Sequence, residues 1–191
     1  MIAVVDYGAG NLFSVSNALA VIGEEFEVVE SEFDSSNFSG VLLPGVGHFG
    51  QMMESLDNRG LRQSIEKSAQ IEQPILGICL GMQALFESSQ EAEGVKGLGL
   101  INGEVTAIKG DVRVPQIGWN EVHYADREPA WYYFANSFVV KESESIWGRC
   151  DYGGEFCASV KHNSIWGMQF HPEKSGAAGL ALLKEWCDYA R

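Results

Sequence analysis

Residues 74–83 read PILGICLGMQ, and the fold turns on how they are parsed. Ile75, Leu76 and Ile78 form a short apolar run that ends at Cys79, with Gly77 and Gly81 two residues to either side. Such a run, closed by glycine, is the pattern of a strand buried on both faces. Met82, Leu85 and Phe86 then return at helical spacing, which predicts a helix beginning just after the cysteine. A thiol therefore stands where a strand turns sharply into a helix. Gly-x-Cys-x-Gly has the shape of a nucleophile elbow, a strained corner where bulky neighbours would clash. A helix N-terminus there would favour thiolate over thiol, and the N–H of Leu80 would point at an oxyanion forming on a bound carbonyl. The plain alternative is a buried cysteine in a glycine-rich turn.

Upstream, the chain alternates in the manner of βαβ units. Residues 2–8 (IAVVDYG), 26–29 (FEVV) and 40–45 (GVLLPG) read as strands. Leu12, Val15, Leu19 and Ile22 mark one helix, and Leu61, Ile65 and Ala69 another. Continuous apolar strands suit a parallel sheet covered by helices on both faces. Downstream the character changes: GLGLINGEVTAI (97–108), WYYFANSFVV (131–140), GEFCASV (154–160) and SIWGMQF (164–170) are strand-like. Turn signals stand at Gly153-Gly154 and His162-Asn163, and a last helix carries Leu180, Leu183 and Trp186. The expectation is one α/β domain over 1–191, with antiparallel hairpins added in its second half.

Composition narrows the class. The 191 residues hold 26 acidic against 13 basic side chains, a formal net charge of −13, and no Lys/Arg run. So acidic a chain is a poor match for phosphate backbones, so nucleic acid is not an expected partner. The start, MIAVVDYGAGN, lacks a basic leader region, and no apolar run approaches the roughly 18 residues of a membrane span. Cysteines 79, 150, 157 and 187 show no C-x-x-C spacing, so neither a disulfide framework nor a metal site is expected. A reduced, cytoplasmic protein whose other cysteines fill the core is the expected setting.

A thiolate nucleophile needs a base, and the base an orienter. GMQFHPEKS, residues 167–175, offers His171 and Glu173 at i, i+2 across Pro172, a spacing that puts both side chains on one face of extended chain. The carboxylate can hold the imidazole in one tautomer while the other ring nitrogen meets the thiol. Histidines 48, 123 and 162 have no such partner at fixed spacing. LLPGVGHFG, residues 42–50, follows an apolar strand and can turn the amides of Gly45, Val46 and Gly47 toward one point. It lacks the Lys and Ser/Thr of a phosphate loop, which favours an oxyanion hole over a phosphate cradle. GAGNLFS, residues 8–14, approaches G-x-G-x-x-G but has Phe13 at the third glycine, so no dinucleotide and no other cofactor is expected.

PGVG, GICLGMQ and GMQFHPEKS, in this order and at these distances, resemble the class I (triad) glutamine amidotransferases. DYGAGNL, GVKGLGLI (94–101) and PQIGWN (115–120) look more specifically like the glutaminase subunits of imidazole glycerol phosphate synthase. The likeness runs essentially end to end. It implies a flavodoxin-like class I amidotransferase fold and hydrolysis of glutamine to glutamate and ammonia. Cys79 would attack the amide carbon, His171 would shuttle the proton, Glu173 would orient His171, and Leu80 with the Gly45–Gly47 loop would supply oxyanion donors. By the same likeness Gln83, Glu91, Asn136, Ser137 and Phe138 would contact the glutamine. Asn11, Trp119, Asn120 and Lys174 would lie near the interface with a (β/α)8-barrel cyclase, in a heterodimer of histidine biosynthesis that passes ammonia directly between subunits. In the family the glutaminase is nearly silent until the partner binds its nucleotide.

Two motifs depart from the family pattern, at three residues. Asn136-Ser137-Phe138 stands where His-Ser-Tyr is the norm, and Gln116 where a histidine precedes the Gly-Trp-Asn motif. Neither touches the triad. They keep open a paralogue that feeds ammonia to another synthase, such as one amidating a surface-polysaccharide sugar. A non-catalytic binding module and a cysteine hydrolase of another substrate are the remaining alternatives.

Overall fold

The computed structural model describes residues 1–9 and 11–191. The first half runs β1 (Ile2–Val5), α1 (Leu12–Val21), β2 (Phe26–Val29), β3 (Gly40–Gly45), α2 (Phe49–Asn58), α3 (Leu61–Gln70), β4 (Ile75–Cys79) and α4 (Leu80–Ala84). The second half runs β5 (Ser88–Ser89), β6 (Glu104–Ala107), β7 (Gln116–Tyr124), β8 (Ala130–Asn136), β9 (Phe138–Val140), β10 (Ile146–Asp151), β11 (Glu155–His162) and β12 (Ile165–Met168), then a 3-10 turn (Pro172–Lys174) and α5 (Gly176–Tyr189).

The main sheet has the order β2-β1-β3-β4-β12-β11-β10-β7-β8. Its first five strands are parallel and follow the doubly wound flavodoxin order, with β12, the last strand of the chain, as fifth member. From β12 outward every pairing is antiparallel. The fold is thus the flavodoxin-like α/β class expected from the sequence.

Alternation along the strands divides the interior into two cores. Ile2, Val4, Leu42, Leu76 and Ile78 face one side, packed on Val15 and Leu19 of α1 and Leu182, Leu183 and Trp186 of α5. Ala3, Val5, Val41, Leu43 and Ile75 face the other, packed on α2, α3 and α4. Helices on both faces leave the carboxyl ends of β1, β3, β4 and β12 open side by side. In an open sheet that is the position of ligand sites.

Three expectations need correction. Residues 97–103 form no strand: Leu98 and Ile101 are buried in a coil whose N–H groups bond back to Ala84, Leu85 and Phe86 at the end of α4. Residues 131–140 are two strands, because the chain swerves at Ser137; β8 pairs with β7, whereas β9 pairs with β6 and β11. The helix after Cys79 ends at Ala84, short of Leu85 and Phe86. The first two glycines of the 8–14 stretch straddle the limit of description, Gly10 lying outside the described residues.

Candidate active site

Cys79 closes β4 with φ 55° and ψ −112°, a conformation that costs a non-glycine residue of the order of 1–3 kcal/mol. The corner is made possible by close approach of α4 to two strands. A Cβ on Gly77 would stand 2.6 Å from the Gly81 carbonyl oxygen, and one on Gly45 2.4 Å from the Gly81 nitrogen. Leu80 opens α4, so its N–H has no carbonyl within the helix to receive it.

The candidate base arrives from the neighbouring strand. Beyond β12 the chain turns at His171, whose N–H donates to the Tyr133 carbonyl at 2.8 Å. Ser175 Oγ fixes this turn, donating to the His171 carbonyl at 2.6 Å and accepting from the Tyr133 N–H at 2.9 Å. His171 Nδ1 lies 2.8 Å from Glu173 Oε1, with both side chains almost fully buried. The imidazole and the Cys79 thiol line the same cleft. Burial pulls the His171 pKa down, but contacts with Cys79 and Glu173 outweigh it and push the value up to about 10. The ring is therefore an imidazolium at neutral pH.

That charge state makes a measurable prediction. The ring 15N shifts of His171 are expected to report imidazolium through pH 8, with a midpoint near 10. In Glu173→Gln the midpoint should move down, since a group that raises it is lost; an ordinary midpoint near 6.5 in the wild type would refute the assignment. Because the folded value is raised, the stability contributed by this group is complete below about 6.5 and disappears as pH climbs through about 10.

Cys79, His171, Val46, Gly47, Leu80, Gln83, Glu91, Ser137, Phe138 and Lys174 line one cleft of about 310 Å3, with Asn136 at its wall. This is the small end of the roughly 300–1,000 Å3 range of small-molecule sites, a size for an amino acid rather than a polymer. Gln83 Nε2 donates to the Phe138 carbonyl at 3.1 Å and to Gln169 Oε1 at 2.9 Å. Glu91 Oε2 accepts from the Phe49 N–H at 2.8 Å, and Asn136 Nδ2 donates to the Phe138 carbonyl at 3.0 Å. Asn136 Oδ1 is buried without a hydrogen-bond partner. Two of the three departures from the family pattern, Gln116 and Asn136, are direct cross-strand partners in the β7–β8 ladder.

The remaining candidates divide. Val46 lines the cleft, but its N–H donates to the Tyr7 hydroxyl at 3.0 Å and is not free for an oxyanion in this arrangement. Asn11 caps α1 through Ser14 and borders a void of about 10 Å3 behind Glu173. Lys174 is exposed at the cleft mouth, its Nζ 6.0 Å from the Tyr133 ring centroid. Trp119 is also exposed, edge-on to Tyr133. Asn120 is half-buried and pairs with the buried Tyr132, so it points to the opposite side of the sheet from Trp119.

Gln169 was not among the sequence candidates. It is fully buried, with Nε2 3.7 Å from Cys79 Sγ and Oε1 receiving Gln83. Counting two residues back from His171, as Glu173 was counted forward, would have found Gln169, although Pro172–Lys174 is a 3-10 turn and not the extended chain expected there. Cys150, Cys157 and Cys187 are buried, Cys157 Sγ donating to the Ser159 carbonyl at 3.3 Å, and burial pushes each thiol up to about 12. Among the described residues no group of three His, Cys, Asp or Glu side chains could hold a metal ion.

The sequence profile described as glutamine amidotransferase class-I matches residues 3–187. The chain belongs to the class-I glutamine amidotransferases. Within that family it belongs with the HisH subunits of imidazole glycerol phosphate synthase. That of Bacillus cereus (strain G9842) is 41% identical over 96% of this chain and 92% of its own. That of Sulfurimonas denitrificans is 42% identical over 99% and 98%. Among solved structures, one titled as a crystal structure of glutamine amidotransferase superposes with TM-score 0.83 at 16% identity, over 100% of this chain and 99% of that one. PurLQS from Thermotoga maritima gives 0.80 at 21%, over 100% and 98%; at such identities the likeness speaks for the amidotransferase fold alone.

Proposed function

We propose that this amidotransferase hydrolyses glutamine through Cys79, His171 and Glu173 and hands the ammonia to the (β/α)8-barrel cyclase of imidazole glycerol phosphate synthase, as a cytoplasmic heterodimer. The observation that carries the reading is that the His171 imidazole, held by Glu173, and the Cys79 thiol open onto one amino-acid-sized cleft. Cys79 Sγ attacks the side-chain amide carbon, and the carbonyl π electrons move onto oxygen, facing the Leu80 N–H. His171 gives its proton to the departing nitrogen, the C–N bond breaks, and ammonia leaves a γ-glutamyl thioester. His171, now neutral, takes a proton from water as its oxygen attacks the thioester carbon. The C–S bond then breaks, glutamate departs, and the thiolate–imidazolium pair is restored. Glu173 holds the ring through Nδ1 so that the other nitrogen serves the sulfur and substrate. Gln169 donates to the sulfur and fixes Gln83 at the cleft wall.

Ammonia released into water would be protonated and lose its lone pair, so a synthase must cover the cleft mouth. Lys174 and Trp119 are the exposed side chains on that side that a barrel partner would meet. No described helix is long and apolar enough to cross a membrane. Glutamate release measured alone, with the histidine-pathway cyclase, and with cyclase plus its nucleotide tests the reading. A rise of at least about a hundredfold on assembly is expected. Glutaminase activity indifferent to that cyclase would transfer the reading to a paralogous synthase.

A further inference from the structure

Gln169 is fully buried directly after β12, and its backbone N–H bonds the Ala158 carbonyl of β11 at 2.9 Å. Its side chain stands between two others. Nε2 is 3.7 Å from Cys79 Sγ, and Oε1 accepts from Gln83 Nε2 at 2.9 Å. A primary amide can present either end to a neighbour, so the end that meets the sulfur needs a cause. The cause is a backbone group. The Phe138 carbonyl can only accept, and it takes Gln83 Nε2 at 3.1 Å and Asn136 Nδ2 at 3.0 Å. Gln83 must therefore turn its nitrogen to this wall, where its second N–H meets Gln169. Gln169 must answer with oxygen, which leaves its nitrogen for Cys79.

That polarity bears on the charge of the sulfur. A thiolate only accepts, whereas a thiol also donates. The Ala135 carbonyl lies 4.0 Å from Sγ and would receive a thiol proton, but the Gln169 nitrogen is nearer and suits the anion. Cys79 is 6% exposed, and a donor aimed at an ionised atom gains strength where water is scarce. One backbone carbonyl thus orders two amides in series, and the last of them faces the sulfur with N–H.

We propose that Gln169 is a further catalytic residue, whose side-chain N–H holds the Cys79 sulfur as thiolate. It does so before attack on the amide carbon, and again when the C–S bond of the thioester breaks and its electron pair returns to sulfur. Gln83 and the Phe138 carbonyl are positioning groups that keep the Gln169 nitrogen turned that way. The inference rests on the glutaminase reading above. It adds a group at the reacting atom that is neither nucleophile, base nor orienter.

The test follows iodoacetamide alkylation of Cys79 against pH in wild type and Gln169→Met, full chains, read at the peptide that carries Cys79. Glutamate release with the cyclase and its nucleotide is measured beside it. Methionine has about the same length and no donor. The alkylation midpoint should rise by about one pH unit, the roughly tenfold worth of a hydrogen bond to a charged atom. The acid limb of the kcat/KM profile should rise with it. KM should change less than about threefold, because Gln83 keeps its bond to the Phe138 carbonyl. The titratable groups around the sulfur, His171 with Glu173, Tyr7, and Glu91 and Lys174 along the cleft, are the same in both chains. A second readout needs no variant: a Gln169 side-chain N–H resonance of the wild type should shift with the midpoint of the alkylation. An unmoved midpoint in the variant, or a Gln169 resonance blind to ionisation of the sulfur, overturns the proposal and leaves the glutaminase reading intact. Absence of glutamate from the wild type, even with cyclase and nucleotide, removes that reading and the catalytic role of Gln169 with it.

Discussion

Glutamine hydrolysis by the Cys79→Ala chain, assayed with the cyclase and its nucleotide present, is expected to fall by roughly 10^4- to 10^6-fold, the loss typical when a covalent nucleophile is deleted. The size follows from the absence of any second nucleophile at that corner. Gln169 and the imidazole both address the sulfur, and neither can replace it. The other three thiols are buried elsewhere in the fold. Stability should move the other way in the companion variant Cys79→Gly. Glycine adopts φ 55° without the strain a side chain brings there, so this chain is expected to unfold at or above the wild-type temperature while being equally inactive. Residual activity within tenfold of wild type in either variant would remove Cys79 from the mechanism. A lower melting temperature in Cys79→Gly would remove the strain.

The second large effect is structural. A Cβ on Gly81 would stand 1.8 Å from the Leu43 carbonyl oxygen and 2.9 Å from its carbon, both backbone atoms of a central strand. Gly81 does not have a positive φ, so it is space and not conformation that demands glycine here. Gly81→Ala must therefore drive the start of α4 off β3. Overpacking costs typically about 1–3 kcal/mol and more where only backbone can give. A loss of about 3 kcal/mol or more is expected, which in a chain of this length lowers the melting temperature by roughly 6–12 °C. Activity should fall out of proportion, because the same shift carries the Leu80 N–H away from the thiol. Thermal unfolding within 2 °C of wild type, with full glutaminase activity, would show that α4 has slack the geometry denies.

What could be read beforehand depended on how local the signal was. β2 and β3 are bounded as their apolar runs and flanking glycines indicate. The elbow at Cys79 and the His171–Glu173 pair were legible because each is written within five residues. α2 was missed despite a clear period: Phe49, Met52, Met53 and Leu56 are all buried, but the reading of 42–50 as a strand and glycine turn took in Phe49 and stopped before the other three. β7 and β10 were missed because β7's outer face shows Ile117 and Trp119 to solvent, which blurs the alternation. Trp119 and Asn120 came as a unit from the motif, yet adjacent strand residues face opposite ways. The bond between Tyr7 and Val46 joins two loops through tertiary packing, and nothing in either stretch announces the other.

One feature of the sheet bears on the protein's life before it is finished. The proposed nucleophile ends β4, whereas the proposed base follows β12, which lies between β4 and β11 at the middle of the sheet yet comes after every other described strand in sequence. While a ribosome still holds the C-terminal portion, a nascent chain can carry the sulfur but no imidazole beside it. On that proposal ammonia production waits until β12 and the His171 turn have been made, and fragments that stop before them would consume no cellular glutamine.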